Sequence, residues 1–127
     1  EIPAGDFFTG LFETALEDGE IVVAVTFDAP AKAGYSKFPN PASRYAMAGV
    51  FVAKAGDGSV RVAVTGAGSN GVFRHDGLEA ALAAAWSPEA AASVDIDATD
   101  LLSDLHGSAE YRANLVRVMA KRAVAAA

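Results

Sequence analysis

Hydrophobic and polar positions follow mainly a two-residue period in the first half of the chain and a helical period in the second. After the break at Asp18-Gly19-Glu20, residues Ile21, Val23, Val25 and Phe27 alternate with Val22, Ala24 and Thr26, a β-branched pattern that predicts a strand. Upstream, apolar pairs at Phe7/Phe8, Leu11/Phe12 and Ala15/Leu16 come close to a helical repeat, but Thr9 and Gly10 weaken it, so a short helix or a docked loop would both serve. The segment from Asp28 to Gly34, with Pro30, reads as a connection. Tyr35 to Phe38 then predicts a second, short strand stopped by Pro39-Asn40-Pro41.

The clearest feature is a hairpin. Tyr45 to Lys54 and Ser59 to Thr65 flank Gly56-Asp57-Gly58, whose glycines allow the positive φ angles of a tight turn. Val60, Val62 and Val64 alternate with Arg61, Ala63 and Thr65, which predicts one buried and one partly wet face. From Asp76 onward the chemistry turns helical. Asp76 and Glu79 have capping-box spacing ahead of an Ala-rich helix from Leu78 to Trp86. Ser87-Pro88 supplies an N-cap and a first-turn proline for a second helix through Ser93. Ser108 caps a third, long helix with Tyr111, Leu115, Val118 and Met119 at core spacing. Strands first and helices second predict an α+β fold with helices on one face of an antiparallel sheet.

Composition narrows the function. A chain of 127 residues predicts a single domain over 1–127. With 52% hydrophobic and 20% charged residues it has the apolar surface to fold. The mean hydropathy of +0.24 reflects 29 alanines rather than a membrane segment, because no apolar run approaches the ~20 residues a bilayer needs. The net charge of −6 has the wrong sign for neutralising phosphates, which argues against nucleic acid as a partner. Absence of Cys removes disulfides, thiol nucleophiles and cysteine-ligated metal centres, and is compatible with a reducing, cytoplasmic setting. The start at Glu1, without a charged and then apolar leader, suggests a processed product or a piece of something longer.

Several motifs invite chemistry and have plainer explanations. Gly66-Ala67-Gly68-Ser69-Asn70-Gly71 matches G-x-G-x-x-G after a strand, with Asp95 and Asp97 downstream, as a dinucleotide site would have. In such a site the helix must begin within the glycines so that its amides meet the pyrophosphate, yet the capping signal here waits until Asp76. Asp95, Asp97, Asp100 and Asp104 lack the glycine and closing glutamate of a calcium loop and read as capping or solvated acids. His75 and His106 are too few for a metal centre, and no G-x-S-x-G elbow marks a serine nucleophile. Arg112, Arg117, Lys121 and Arg122 on the last helix read as dipole compensation and a solvated face, with a docking surface as the sharper alternative.

One ordered set of motifs resembles a known family. It comprises Tyr35-Ser36-Lys37, then Pro41-Ala42-Ser43-Arg44-Tyr45-Ala46-Met47-Ala48-Gly49-Val50, then Thr65-Gly66-Ala67-Gly68 with Phe73-Arg74 and Glu79-Ala80-Ala81-Leu82. It ends in Asp104-Leu105-His106-Gly107-Ser108-Ala109-Glu110-Tyr111-Arg112. Together these span nearly the whole chain and are similar to the C-terminal domain of the FAD-binding medium subunit of CO dehydrogenase and other molybdenum hydroxylases, the xanthine dehydrogenase group.

The resemblance implies a three- or four-stranded antiparallel sheet under a layer of about three helices, and a chain that is one domain of a longer FAD-binding subunit. It also implies partners: a large subunit with the molybdenum cofactor and a small subunit with iron-sulfur clusters, which passes electrons to FAD for delivery to an external acceptor. Most FAD contacts would lie in a preceding domain, so this chain would have no catalytic residue of its own. In the family, the lysine of Tyr-x-Lys and the aromatic residue ahead of a small one approach the flavin; these correspond to Lys37 and Tyr45. A lysine beside the flavin favours negative charge on it, and an aromatic ring over one face excludes water. Many members carry an acid just before that aromatic residue, where this chain has Arg44. The alternatives are a stand-alone dinucleotide-binding domain and a purely structural subunit-assembly domain.

Overall fold

A computed structural model describes residues 1–127. Its main sheet has four antiparallel strands in sequential order: β3 (Lys32–Pro39), β4 (Ala46–Lys54), β5 (Val60–Thr65) and β6 (Phe73–Arg74). Helices α2 (Asp76–Ala84), α3 (Pro88–Ala92) and α4 (Ala109–Ala125) follow, α4 lying on β3 and β4, α2 on β5, and α3 against α4. The fold is the expected α+β arrangement. Ahead of it lie a helical turn, α1 (Ala4–Phe7), and a small ribbon of β1 (Phe8–Gly10) and β2 (Glu13–Thr14). No helix is long and apolar enough to cross a membrane.

The two-residue period decides which face of the sheet is covered. Val50 and Val52 of β4 and Val60, Val62 and Val64 of β5 point at the helices and are buried with Leu78, Leu82, Val116, Met119 and Ala120. Burying a Val or Leu side chain contributes roughly 1.5–3 kcal/mol, so this layer supplies most of the folding drive. Gly34 lets the sheet approach α4 closely, since a Cβ there would run into the Ala123 carbonyl. The opposite face, carrying Tyr35, Lys37, Phe51, Arg61 and Arg74, is left exposed.

Several features depart from the sequence-based expectations: β3 already starts at Lys32, inside the segment read as a connection, and α2 ends at Ala84, short of Trp86. Ile21–Phe27, expected as a strand, pairs with nothing in this chain and is fully exposed. The cap of α2 is His75, whose Nδ1 accepts from the Leu78 amide at 3.2 Å, while Asp76 is the first helical residue. Glu79 closes no capping box; its carboxylate instead accepts from the Val62 amide at 3.0 Å and pairs with Arg74, tying α2 to β5 and β6. Ser87 and Ser108 cap α3 and α4 as expected, accepting from the Ala90 and Tyr111 amides. Along α4, Leu115 and Met119 are buried and Val118 packs against the core, but Tyr111 stays exposed, meeting Phe38 edge-on.

Candidate functional site

Lys37 and Tyr45 stand on either side of the turn between β3 and β4, and Lys37 bonds to the residue just before Tyr45. Pro39 and Pro41 cannot donate to a sheet ladder, so the chain turns between them at Asn40. The Asn40 side chain is buried, and its Oδ1 accepts from the Ala42 and Ser43 amides at 2.9 and 3.2 Å. Its backbone closes the loop, the Asn40 amide donating to the Tyr45 carbonyl at 2.7 Å and the Arg44 amide to the Asn40 carbonyl at 2.9 Å. Arg44 takes a left-handed conformation, φ 64°, which is costly for a non-glycine residue and is held here by those bonds.

This turn presents the Arg44 carbonyl to Lys37, whose Nζ donates to it at 3.2 Å. The next side chain, Tyr45, is 80% exposed and stands just ahead of the first residue of β4. Two residues from Lys37, Tyr35 shares the open face of the sheet. Lys37 lies opposite Gly49 in the register and Gly49 opposite Thr65. A Cβ on Gly49 would meet the Tyr35 hydroxyl at 2.6 Å and Thr65 Oγ1 at 2.7 Å, so the bare glycine lets both lean across it. The result is a lysine tethered to the turn and an exposed tyrosine that follows the same turn, at one end of an open sheet face. A lysine cation and an aromatic ring are groups that can take the anionic edge and planar face of a ligand.

Arg112 supports this end of the sheet from below. Although expected on a solvated face, it is 3% exposed. Its Nη1 donates to the carbonyls of Met47 at 2.8 Å and Gly66 at 3.1 Å, and its Nη2 to Asp104 at 2.9 Å, while Nε has no partner. One side chain from α4 thus fastens the start of β4, the end of β5 and the loop before α4. A hydrogen bond from the His106 amide, then the bond and charge of Arg112, hold the Asp104 carboxyl below the usual carboxylate range. The sequence signal for Arg112 was its register, since it shares the buried stripe of Leu115, Val116, Met119 and Ala123. For Asn40 the signal was its place between two prolines.

The glycine loop leaves the sheet beside Ala46, but it does not have the form of a dinucleotide site. Gly66 and Gly71 take positive φ, and the loop is tied to a neighbouring loop by Ser69 donating to the Asp100 carbonyl and Leu102 to that of Ala67. The chain then forms β6 before α2 begins, so the glycines do not run directly into a helix as a dinucleotide loop does. A recess of about 310 Å³ beside it is lined by Gly68, Asn70, Phe73, His75, Asp97 and Asp100. A second, of about 460 Å³, lies between residues 92–98 and α4. Neither is lined by Lys37 or Tyr45. Asp97 accepts from Thr99 through both the hydroxyl and the amide, which keeps its carboxyl below the usual range. No three His, Asp or Glu side chains converge where they could hold a metal ion.

Over nearly its whole length the chain is similar to the medium subunits of two known enzymes. In particular, the chain is similar to the carbon monoxide dehydrogenase medium chain of Hydrogenophaga pseudoflava, with 31% identity over 136 residues, 99% of this chain and 47% of that protein. It is also similar to the nicotine 6-hydroxylase medium subunit of Paenarthrobacter nicotinovorans, with 33% identity over 131 residues, 97% of this chain and 46% of that protein. The chain therefore spans about half the length of the curated relatives it matches. No family model matches it. No solved structure matches it either.

Proposed function

We propose that this chain is the C-terminal domain of the flavoprotein, or medium, subunit of a molybdenum hydroxylase such as aerobic CO dehydrogenase, and that Lys37 and Tyr45 complete the subunit's FAD site. The observation that carries this reading is the tether from Lys37 Nζ to the carbonyl of Arg44, the residue just before the exposed Tyr45. The residues fit one edge of a flavin. They do not fit a whole dinucleotide, because the glycine loop runs into a strand rather than into the helix a pyrophosphate site requires. Most of the cofactor would therefore be held by the rest of the subunit. When bound, FAD would supply electron transfer to an external acceptor. The chain's own part is to hold an ammonium where reduction adds negative charge, to cover one face with the Tyr45 ring, and to exclude water there. The partners on this reading are a large subunit carrying the molybdenum cofactor and a small iron-sulfur subunit, in the cytoplasm.

The test uses the full-length subunit. Lys37→Ala with Tyr45→Ala is expected to lower flavin content or change the rate of flavin reoxidation by about tenfold, the weight of one lost contact of roughly 1.4 kcal/mol. Flavin content, absorbance spectrum and reoxidation rate that all match the unmodified subunit would refute the assignment of these two residues.

A further inference from the structure

Ile21–Phe27 has the sequence of a strand and the surroundings of none. Ile21, Val22, Val23, Val25 and Phe27 are 78, 52, 88, 77 and 78% exposed. None of the backbone hydrogen bonds involves residues 21 to 30, so a row of amides and carbonyls is open along with the side chains. Water can satisfy those polar groups, but it cannot satisfy the apolar ones. The segment carries no charge, and both of its faces are apolar or nearly so: Ile21, Val23, Val25 and Phe27 on one, Val22, Ala24 and Thr26 on the other. That is the composition of a strand covered on both sides.

The four-residue connection from Asp28 to Ala31 could return such a strand as a hairpin on the free edge of β3, and the chain does not do so. The first 30 residues make no hydrogen bond to the rest; they touch it where Gly10 meets Gly71. The main domain's ladder begins only with Ala31, which donates to the Lys54 carbonyl at 2.8 Å. A second copy of the chain is a poor occupant, because two such strands would form only a two-stranded ribbon, which is marginal in water. A larger candidate exists. Alignment with the CO dehydrogenase medium chain covers 99% of this chain, this segment included, yet only 47% of that relative, so more than half of a related polypeptide lies beyond the matched region.

We infer that Ile21–Phe27 is a strand of a second sheet, whose other strands belong to the part of the longer subunit outside these residues. The domain described above then starts near Lys32, and Asp28–Ala31 is the connection between two domains. This rests on the reading of the chain as part of a longer subunit, and it is independent of the flavin contacts of Lys37 and Tyr45.

Hydrogen exchange, measured on the full-length subunit and on the 127-residue chain, decides it. Peptides covering residues 21–27 are expected to exchange at least ~100-fold more slowly in the full-length subunit, as amides in a cooperative sheet do. Val23→Lys with Val25→Lys is expected to lower the unfolding temperature of the full-length subunit by roughly 4 °C or more while leaving the 127-residue chain unchanged, since these side chains touch nothing there. Equally fast exchange in both proteins would overturn the inference. So would slow exchange in the 127-residue chain that rises with its concentration, which would assign the strand to a second copy. A native product no longer than these residues would overturn it too. Protection that persists in a Lys37→Ala, Tyr45→Ala subunit with unaltered flavin would separate this inference from the site assignment.

Discussion

Burying a guanidinium is unfavourable unless its donors find acceptors, and Arg112 finds three, in the Met47 and Gly66 carbonyls and Asp104. Removing it takes a donor from the Met47 and Gly66 carbonyls beneath the Tyr45 end of β4 and leaves the Asp104 carboxylate with the His106 amide. Arg112→Ala is expected to cost about 3 kcal/mol in urea unfolding and Asp104→Asn clearly less, because Asp104 is exposed and water replaces its partner. Equal losses in the two variants would show that the carbonyl contacts contribute little. At this scale the sequence was only partly legible. Lys37 and Tyr45 could be named from ordered motifs, but the bond between Lys37 and the Arg44 carbonyl depends on a left-handed Arg44, which no residue preference at that position foretells.

Caps and turns are local, and elements bounded by them were readable. Ser87-Pro88 and Ser108 begin helices where expected, because a hydroxyl one turn ahead satisfies an amide that the helix itself cannot. The start of α2 was misplaced by one residue, since two adjacent polar residues could each cap it and only tertiary packing chose His75. His75→Ala is therefore expected to destabilise the domain by about 1 kcal/mol, and Asp76→Ala by roughly 0.3 kcal/mol through the helix dipole alone. Thermal unfolding of the two variants checks the order, and a larger loss for Asp76→Ala would reinstate it as the cap. Ile21–Phe27 marks the opposite limit. Alternation reports that a segment suits a sheet, but pairing is a property of two segments, and none of these 127 residues pairs with this one.

For the molecule as a whole, two carboxylates that fasten helices to the sheet titrate below their ordinary range. Burial pushes Glu79 up, but the hydrogen bonds from Arg74 and the Val62 amide, with the charges of Arg74 and Arg61, outweigh it and leave it lowered. Asp104 is lowered as well. A carboxylate with a depressed folded pKa binds fewer protons than the unfolded chain does between the two values, so stability rises with pH there. The stabilisation from both groups is present above the ordinary carboxylate range, about pH 5, and is lost as pH falls through their folded values. Urea unfolding at stepped pH is expected to show a flat plateau above about pH 5 and a fall below about pH 4, with a shallower fall in Glu79→Gln. An unchanged slope in that variant would place the acid sensitivity elsewhere. By itself the sequence determined the strand-then-helix order, the hairpin, two of the three main helix caps and the kinship with medium subunits, because period, turn residues and ordered motifs are carried by neighbours along the chain. Tertiary structure alone decided that Arg112 is buried, that Glu79 fastens the sheet, that Lys37 meets the turn before Tyr45, and that Ile21–Phe27 stands unpaired. Each of these depends on groups far apart in sequence, whose meeting is set by which surfaces close on one another and by which partner strands are present.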